Sequence, residues 1–342
     1  MLMILHNKLN IIIICLLLYI ILLNKQYDIV TVSAFESIDI NKLYSFNLTH
    51  ISHVARDILF SKHYDIANNP NTLAVMILFT YGLSDSINLK QLHCSINLLN
   101  LNMYNTPMHV YVWLGKYKYG DRLPDWMYTY TNLFIMELDK DSWKVPNIPL
   151  LKDSSKWSIR SSTTIDYYLM GRWRLTFQPL FVQAMEYDYF LQIDMDSYVA
   201  KPIDINLVEV LRNNNIYFST TNLWHVNDKR EVLNGLAEFT RFWLVTSGYN
   251  PMGEIFQNTM PSNMDGLYTH SSNIQLGWNL LVHRGNFMLI DIHKFWFNTI
   301  AQDYLLSVLR SGYDIEQRWQ EQGSMCMYVY IYLCVYTMLL YI

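Results

Sequence analysis

Charge is scarce in this chain: 16% of its 342 residues are Asp, Glu, Lys or Arg, and none follows Glu321. Against 51% hydrophobic and 15% aromatic residues, that scarcity excludes a disordered, solvated polymer. The formal net charge of −4 leaves no basic stripe for DNA or RNA, so no nucleic-acid partner is expected. Cysteine is also rare. Cys15, Cys94, Cys326 and Cys334 show no C-x-x-C pair and no zinc spacing, which argues against a disulfide framework or a structural zinc site. Cys94 fits an apolar helix face, where a buried thiol is expected.

What is present begins with an apolar run from Ile11 to Leu23, preceded by His6 and Lys8 and followed by Asn24 and Lys25. A membrane span needs about 20 residues, a length reached by adding the flank from Leu2 to Leu9. A signal anchor and a cleaved signal peptide both fit. The small-residue site Val32-Ser33-Ala34 lies far beyond the run, which favours the anchor over residues 1–23, with the bulk of the chain lumenal. Residues 24–70 are polar and close on Asn68-Asn69-Pro70, the composition of a stem. Within them Asn47-Leu48-Thr49 is a glycosylation sequon. At the other end, residues 325–342 form an apolar tail, expected to be a second membrane segment or the product of a truncated gene model.

Between these ends, over residues 71–324, strand and helix patterns alternate. Leu73 to Thr80 suits a buried parallel strand, and Leu89, Leu92, Ile96, Leu99 and Met103 follow at helical spacing. Val110, Val112 and Leu114 mark a second strand and Leu133 to Leu138 a third. Ser161 to Met185 reads as two helical pieces, with Pro179 starting the second. Asp204 is expected to cap a short helix through Leu211, and Ile216 to Ser219 reads as a strand. A helix carrying Val232, Leu236, Phe239 and Trp243 follows. Phe287 to Ile292 is a further strand, and its following helix, with Trp296, Ile300, Tyr304 and Val308 on one face, ends at Gly312. The alternation predicts a three-layer α/β domain: a Rossmann-like, mostly parallel sheet with helices on both faces.

The chemistry concentrates in Tyr187-Asp188-Tyr189-Phe190-Leu191-Gln192-Ile193-Asp194-Met195-Asp196-Ser197-Tyr198. Its aromatic and apolar strand delivers two carboxylates, one residue apart, where an α/β sheet binds its ligands. Paired acids there repel each other unless a cation neutralises them, and hard divalent cations take oxygen ligands at about 2.0–2.6 Å. A second such triplet, Asp139-Lys140-Asp141, reads as a solvated turn. Two chemistries use a carboxylate pair. Sugar-nucleotide transfer uses it to hold a cation on the diphosphate; an aspartate-nucleophile phosphohydrolase uses the first acid on phosphorus. The latter wants its loop after the domain's first strand and Thr or Val where Tyr198 stands, so it loses. Arg172 and Arg174 are candidates for the diphosphate or for a helix surface. His270, His283 and His293 are candidate third ligands or ordinary histidines. Asp265-Gly266 signals a turn first and an acid near the acceptor second.

Together with Met170-Gly171-Arg172-Trp173, the Tyr187–Tyr198 block resembles the fungal α-1,2-mannosyltransferase family, glycosyltransferase family 15. Asn286-Phe287 followed by Asp291, and Arg318-Trp319 with Glu321, are similar to two later blocks of that family. The resemblance implies a GT-A nucleotide-sugar fold in a type II membrane enzyme of the Golgi or ER. It implies a Mn²⁺ (or Mg²⁺) cofactor, a sugar-nucleotide donor such as GDP-mannose, and a glycan or glycoprotein hydroxyl as acceptor. Asp194-Met195-Asp196 stands where the family has Glu-Pro-Asp; Asp196 is then the direct metal ligand and Asp194 touches the metal's water or the ribose. Arg172 and Arg174 would hold the donor, and Asp291, Asp265 and Glu321 are the candidate acids at the reacting face. Met288 replaces a family Glu, and the family's C-terminal metal-binding His has no counterpart. The alternative expectation is therefore a catalytically inactive, membrane-tethered sugar-binding protein of the same fold.

Overall fold

The computed structural model describes residues 70–116, 121–138, 143–153, 157, 164–220, 235–249 and 285–319. Asp139, Asp141, Asp265, His270, His283, Glu321 and both apolar ends lie outside them. Among the described residues no helix is long and apolar enough to cross a membrane.

Among the described residues six strands form one sheet: β1 Leu73–Phe79, β2 Met108–Leu114, β3 Leu133–Glu137, β4 Tyr189–Ile193, β5 Phe218–Thr220 and β6 Phe287–Asp291. Their order is β3-β2-β1-β4-β6-β5. β1, β2, β3 and β4 pair in parallel, and β6 runs antiparallel to both β4 and β5. The mostly parallel sheet expected from the strand–helix alternation is thus observed, with β6 as the reversed strand.

Every residue of β1 is buried, because both faces of the sheet are covered. Leu73, Val75, Ile77 and Phe79 pack with Leu92, Ile96 and Leu99 of α1 (Ser86–Asn102) and with Leu207, Val208 and Leu211 of α2 (Leu207–Asn213). The alternate residues Ala74, Met76 and Leu78 face the other layer. That layer holds α3 (Ile165–Leu175), α4 (Phe177–Ala184), α5 (Leu236–Ser247) and α6 (Thr299–Ser311). Period two in the strands and period 3.6 in α1 therefore meet as three layers. Each large apolar side chain buried this way contributes about 1.5–3 kcal/mol.

Local signals acted largely as their chemistry requires. The break between α3 and α4 falls at Thr176, and Pro179 sits in the first turn of α4, where no amide donor is needed. Gly312 ends α6 at φ 78°, a left-handed conformation that suits glycine.

Two local expectations are corrected. Asn206, not Asp204, caps α2: its Oδ1 accepts from the amides of Val208 (3.0 Å) and Glu209 (3.3 Å), while Asp204 accepts from the Tyr104 hydroxyl at 2.5 Å. Cys94 is exposed rather than buried. The helix turns Leu92, Ser95, Ile96 and Leu99 inward, and residue 94 falls on the opposite flank.

Candidate functional site

The strand order reverses direction between β1 and β4: the chain steps outward from β1 through β2 to β3, then returns to β1's other edge. The carboxyl end of such a switch point is where α/β sheets open a ligand crevice. Asp194 immediately follows β4 there. It continues the face of Phe190 and Gln192 and so meets the helix layer that includes α3. Arg174 of α3 donates from Nη2 to Asp194 Oδ1 at 2.5 Å. The arginine side chain is 5% exposed and the aspartate 33%, so the pair is sealed on one side and open on the other.

Met195 points the opposite way and packs against the α1-side core. The Ser197 amide donates to the Asp194 carbonyl at 3.0 Å, closing a tight turn. Asp196 occupies the exposed corner of that turn. Beside it Tyr198 stands 43% exposed; partial burial and then the nearby Cys94 and Asp196 raise its phenol above the ordinary tyrosine range. Tyr81, just beyond β1, is similarly exposed.

The turn is fixed from α1, a hundred residues earlier. Ser95 Oγ donates to the Ser197 carbonyl at 2.7 Å and Asn102 Nδ2 to the Val199 carbonyl at 2.5 Å. The Ile203 amide then donates to the Asn102 carbonyl at 2.7 Å. Ser95 and Asn102 are buried polar residues on an otherwise apolar helix face. That is the signal by which they could have been found, since a buried polar group needs a partner. From the other neighbour, the Asp194 amide donates to the Asn286 carbonyl at 3.1 Å, extending the β4–β6 ladder.

The amino end of α1 lies at the carboxyl end of β1, and its cap is a carboxylate. Asp85 caps it, accepting from the Asn88 amide at 3.2 Å and from Asn88 Nδ2 at 2.8 Å.

The remaining sequence candidates separate. Arg172 does not join the site. Residues two apart on a helix point about 200° away from each other, and Arg172 turns inward to Asp314 at 2.6 Å and the Leu309 carbonyl at 3.4 Å. Its assignment to the donor is corrected to a buried ion pair. Asp291 is likewise corrected. Antiparallel pairing sets it opposite Tyr189, so it lies about 17 Å along the sheet from Asp194, at roughly 3.4 Å per residue. There its Oδ1 accepts from the amides of His293 (2.9 Å) and Lys294 (2.7 Å), capping a single π-helical turn, Ile292–Trp296. Burial raises the Asp291 carboxyl above its ordinary value, and the capping amide of Lys294 opposes the shift. A displaced carboxyl in this case marks a cap, not a reacting acid. Asp291→Ala is expected to cost about 1–2 kcal/mol of stability and to leave donor affinity unchanged, as thermal unfolding with and without donor would read. His293 stands at the same distant end, 3.4 Å from Asp188, so it is no ligand to the carboxylate pair. Met288 is fully buried opposite Gln192.

Among the described residues no three His, Cys, Asp or Glu side chains converge as a metal cage. Two carboxylates on a rigid turn, one of them exposed, instead fit a hard cation that takes its other ligands from water and from a bound phosphate, as Mg²⁺-type sites do. Asp196 and the open side of Asp194 are the residues that would hold it.

No protein-family model matches the chain, and no curated protein matches it by sequence. Solved structures do. Core-mannan synthase A from Aspergillus fumigatus, in its Mn/GDP form, aligns with a TM-score of 0.60 at 15% identity, over 77% of this chain and 70% of that one. The mannosyltransferase Ktr4p from S. cerevisiae in complex with GDP gives 0.60 at 12% identity, over 88% and 82%. A second structure of the same yeast protein gives 0.57 at 13% identity, over 89% and 82%. The chain therefore has the GT-A-type α/β fold of these glycosyltransferases.

Proposed function

We propose that this chain is a metal-assisted glycosyltransferase that moves a hexose, mannose from GDP-mannose, onto a glycan or glycoprotein hydroxyl. The observation that carries the reading is the rigid Asp194–Asp196 turn at the β1/β4 switch point, its second carboxylate exposed and its first paired to Arg174. Support comes from two fold neighbours, one in a Mn/GDP form and one in complex with GDP. When bound, a divalent cation supplies charge stabilisation to the departing diphosphate. The chain's own residues do the positioning. Asp196 would hold the cation, Asp194 would turn its open side to the ribose or to a water of the cation, and Ser95 and Asn102 keep the turn from yielding. We further propose that the N-terminal apolar run tethers the protein in the Golgi or ER membrane with this domain lumenal.

A thermal-shift panel of GDP, UDP and GDP-mannose, each with and without Mn²⁺, tests the reading. A ligand at a hundred times its dissociation constant adds about 2.7 kcal/mol to apparent stability. The largest shift is expected for GDP and GDP-mannose with Mn²⁺. No shift with any nucleotide under either condition would overturn it.

A further inference from the structure

We infer that Arg174 is a positioning residue that makes cation binding conditional on the donor. This rests on the proposed function and adds an order of events to it. In the free protein the Arg174 guanidinium lies 2.5 Å from Asp194 and is almost wholly enclosed. Its charge offsets that of Asp194, which leaves Asp196 as the exposed carboxylate whose charge no salt bridge among the described residues offsets. One uncompensated carboxylate on a turn whose backbone is already committed to Asn286, Ser95 and Asn102 is a poor seat for a bare divalent ion. It becomes a good one when a diphosphate brings further oxygens. The arginine thus lowers the affinity of the empty site and removes half of the repulsion between the two acids. It also holds Asp194 Oδ1 in place, so that the carboxylate's other oxygen is oriented before the donor arrives.

The argument fixes a sign that a purely structural arginine does not share. Removing Arg174 leaves the charge of Asp194 unbalanced, so Mn²⁺ alone should bind more tightly while the gain from GDP shrinks. Mn²⁺ binding to the full chain, followed by electron paramagnetic resonance with and without GDP, measures both. In Arg174→Gln, affinity for Mn²⁺ alone is expected to rise on the order of tenfold, the size of one unit charge about 6 Å from a divalent ion at a water-like dielectric. The GDP-dependent gain is expected to fall by a similar factor. Arg174→Lys, which keeps the charge, should behave as the parent does. Asp194→Asn carries the opposite charge change and should bind Mn²⁺ alone more weakly than the parent; it is the variant to rely on if Arg174→Gln does not fold. Unchanged or weaker binding of Mn²⁺ alone in Arg174→Gln, or tighter binding in Asp194→Asn, would overturn the inference and leave the proposed function standing. A parent chain whose Mn²⁺ binding ignores GDP would overturn both.

Discussion

Asp196→Ala is expected to lower metal-dependent donor hydrolysis or transfer on the order of a thousandfold, the usual loss when a group that stabilises developing charge is removed. The fold should not notice. Asp196 is exposed at the corner of a turn, and its neighbours Met195 and Val199 supply the packing. Exposed substitutions of this kind stay within about 0.5 kcal/mol, or about 2 °C in the unfolding midpoint for a domain of this size. The check is a rate measurement with Mn²⁺ and GDP-mannose beside a melting curve for the same preparation. Transfer at the parent's rate in a folded variant would remove the metal role assigned to the turn. A parent that binds donor without turnover would instead match the inactive sugar-binding alternative, for which buried Met288 is the relevant departure.

The second large effect is on stability. Arg172→Met should destabilise the protein by roughly 3 kcal/mol at neutral pH, the scale seen when one partner of a buried ion pair is removed. Asp314 is then left charged among Leu309, Ile315 and α3, with no guanidinium. In the parent, burial already raises the Asp314 carboxyl above its ordinary value, and Arg172 opposes that shift. The sign follows from that direction. A carboxyl whose folded pKa lies above its unfolded value favours the fold while protonated and penalises it as pH climbs through the raised value. Removing Arg172 raises it further. The variant's deficit should therefore widen as pH rises from the ordinary carboxylate range towards neutrality, and narrow on acidification. Denaturant unfolding at pH 5 and pH 7 reads it. A pH-independent loss would mean that packing of the long side chain, not its charge, is what Arg172 provides. Adding Asp314→Asn to Arg172→Met should recover part of the loss.

The contrast between these two arginines shows what was legible in the primary structure. Arg172 and Arg174 could not both face one ligand, because their spacing puts them on opposite sides of a helix. Which of them faced the carboxylates depended on where the Trp173 side of α3 was buried, a matter of tertiary packing. Asp194 and Asp196 were visible at the end of a strand whose apolar alternation announced itself. The direction of β6 was not: Phe287 to Asp291 reads the same whether the strand runs with β4 or against it, and only the pairing sends Asp291 to the far end. Ser95 and Asn102 carried no local mark beyond their polarity on an apolar helical face, and their partners lie about a hundred residues away.

The reversed strand also decides where the protein is free to vary. Because β6 opposes β4, the chain enters it beside the carboxylate turn, where Gln192 Nε2 donates to the Gly285 carbonyl at 3.0 Å. Gly285 and Asn286, by which the chain enters β6, therefore sit at the rim of the crevice, outside the register that pairs β6 with β4. Substitutions at these two positions can thus alter what the turn accepts while the pairing of β4 with β6 stays as it is.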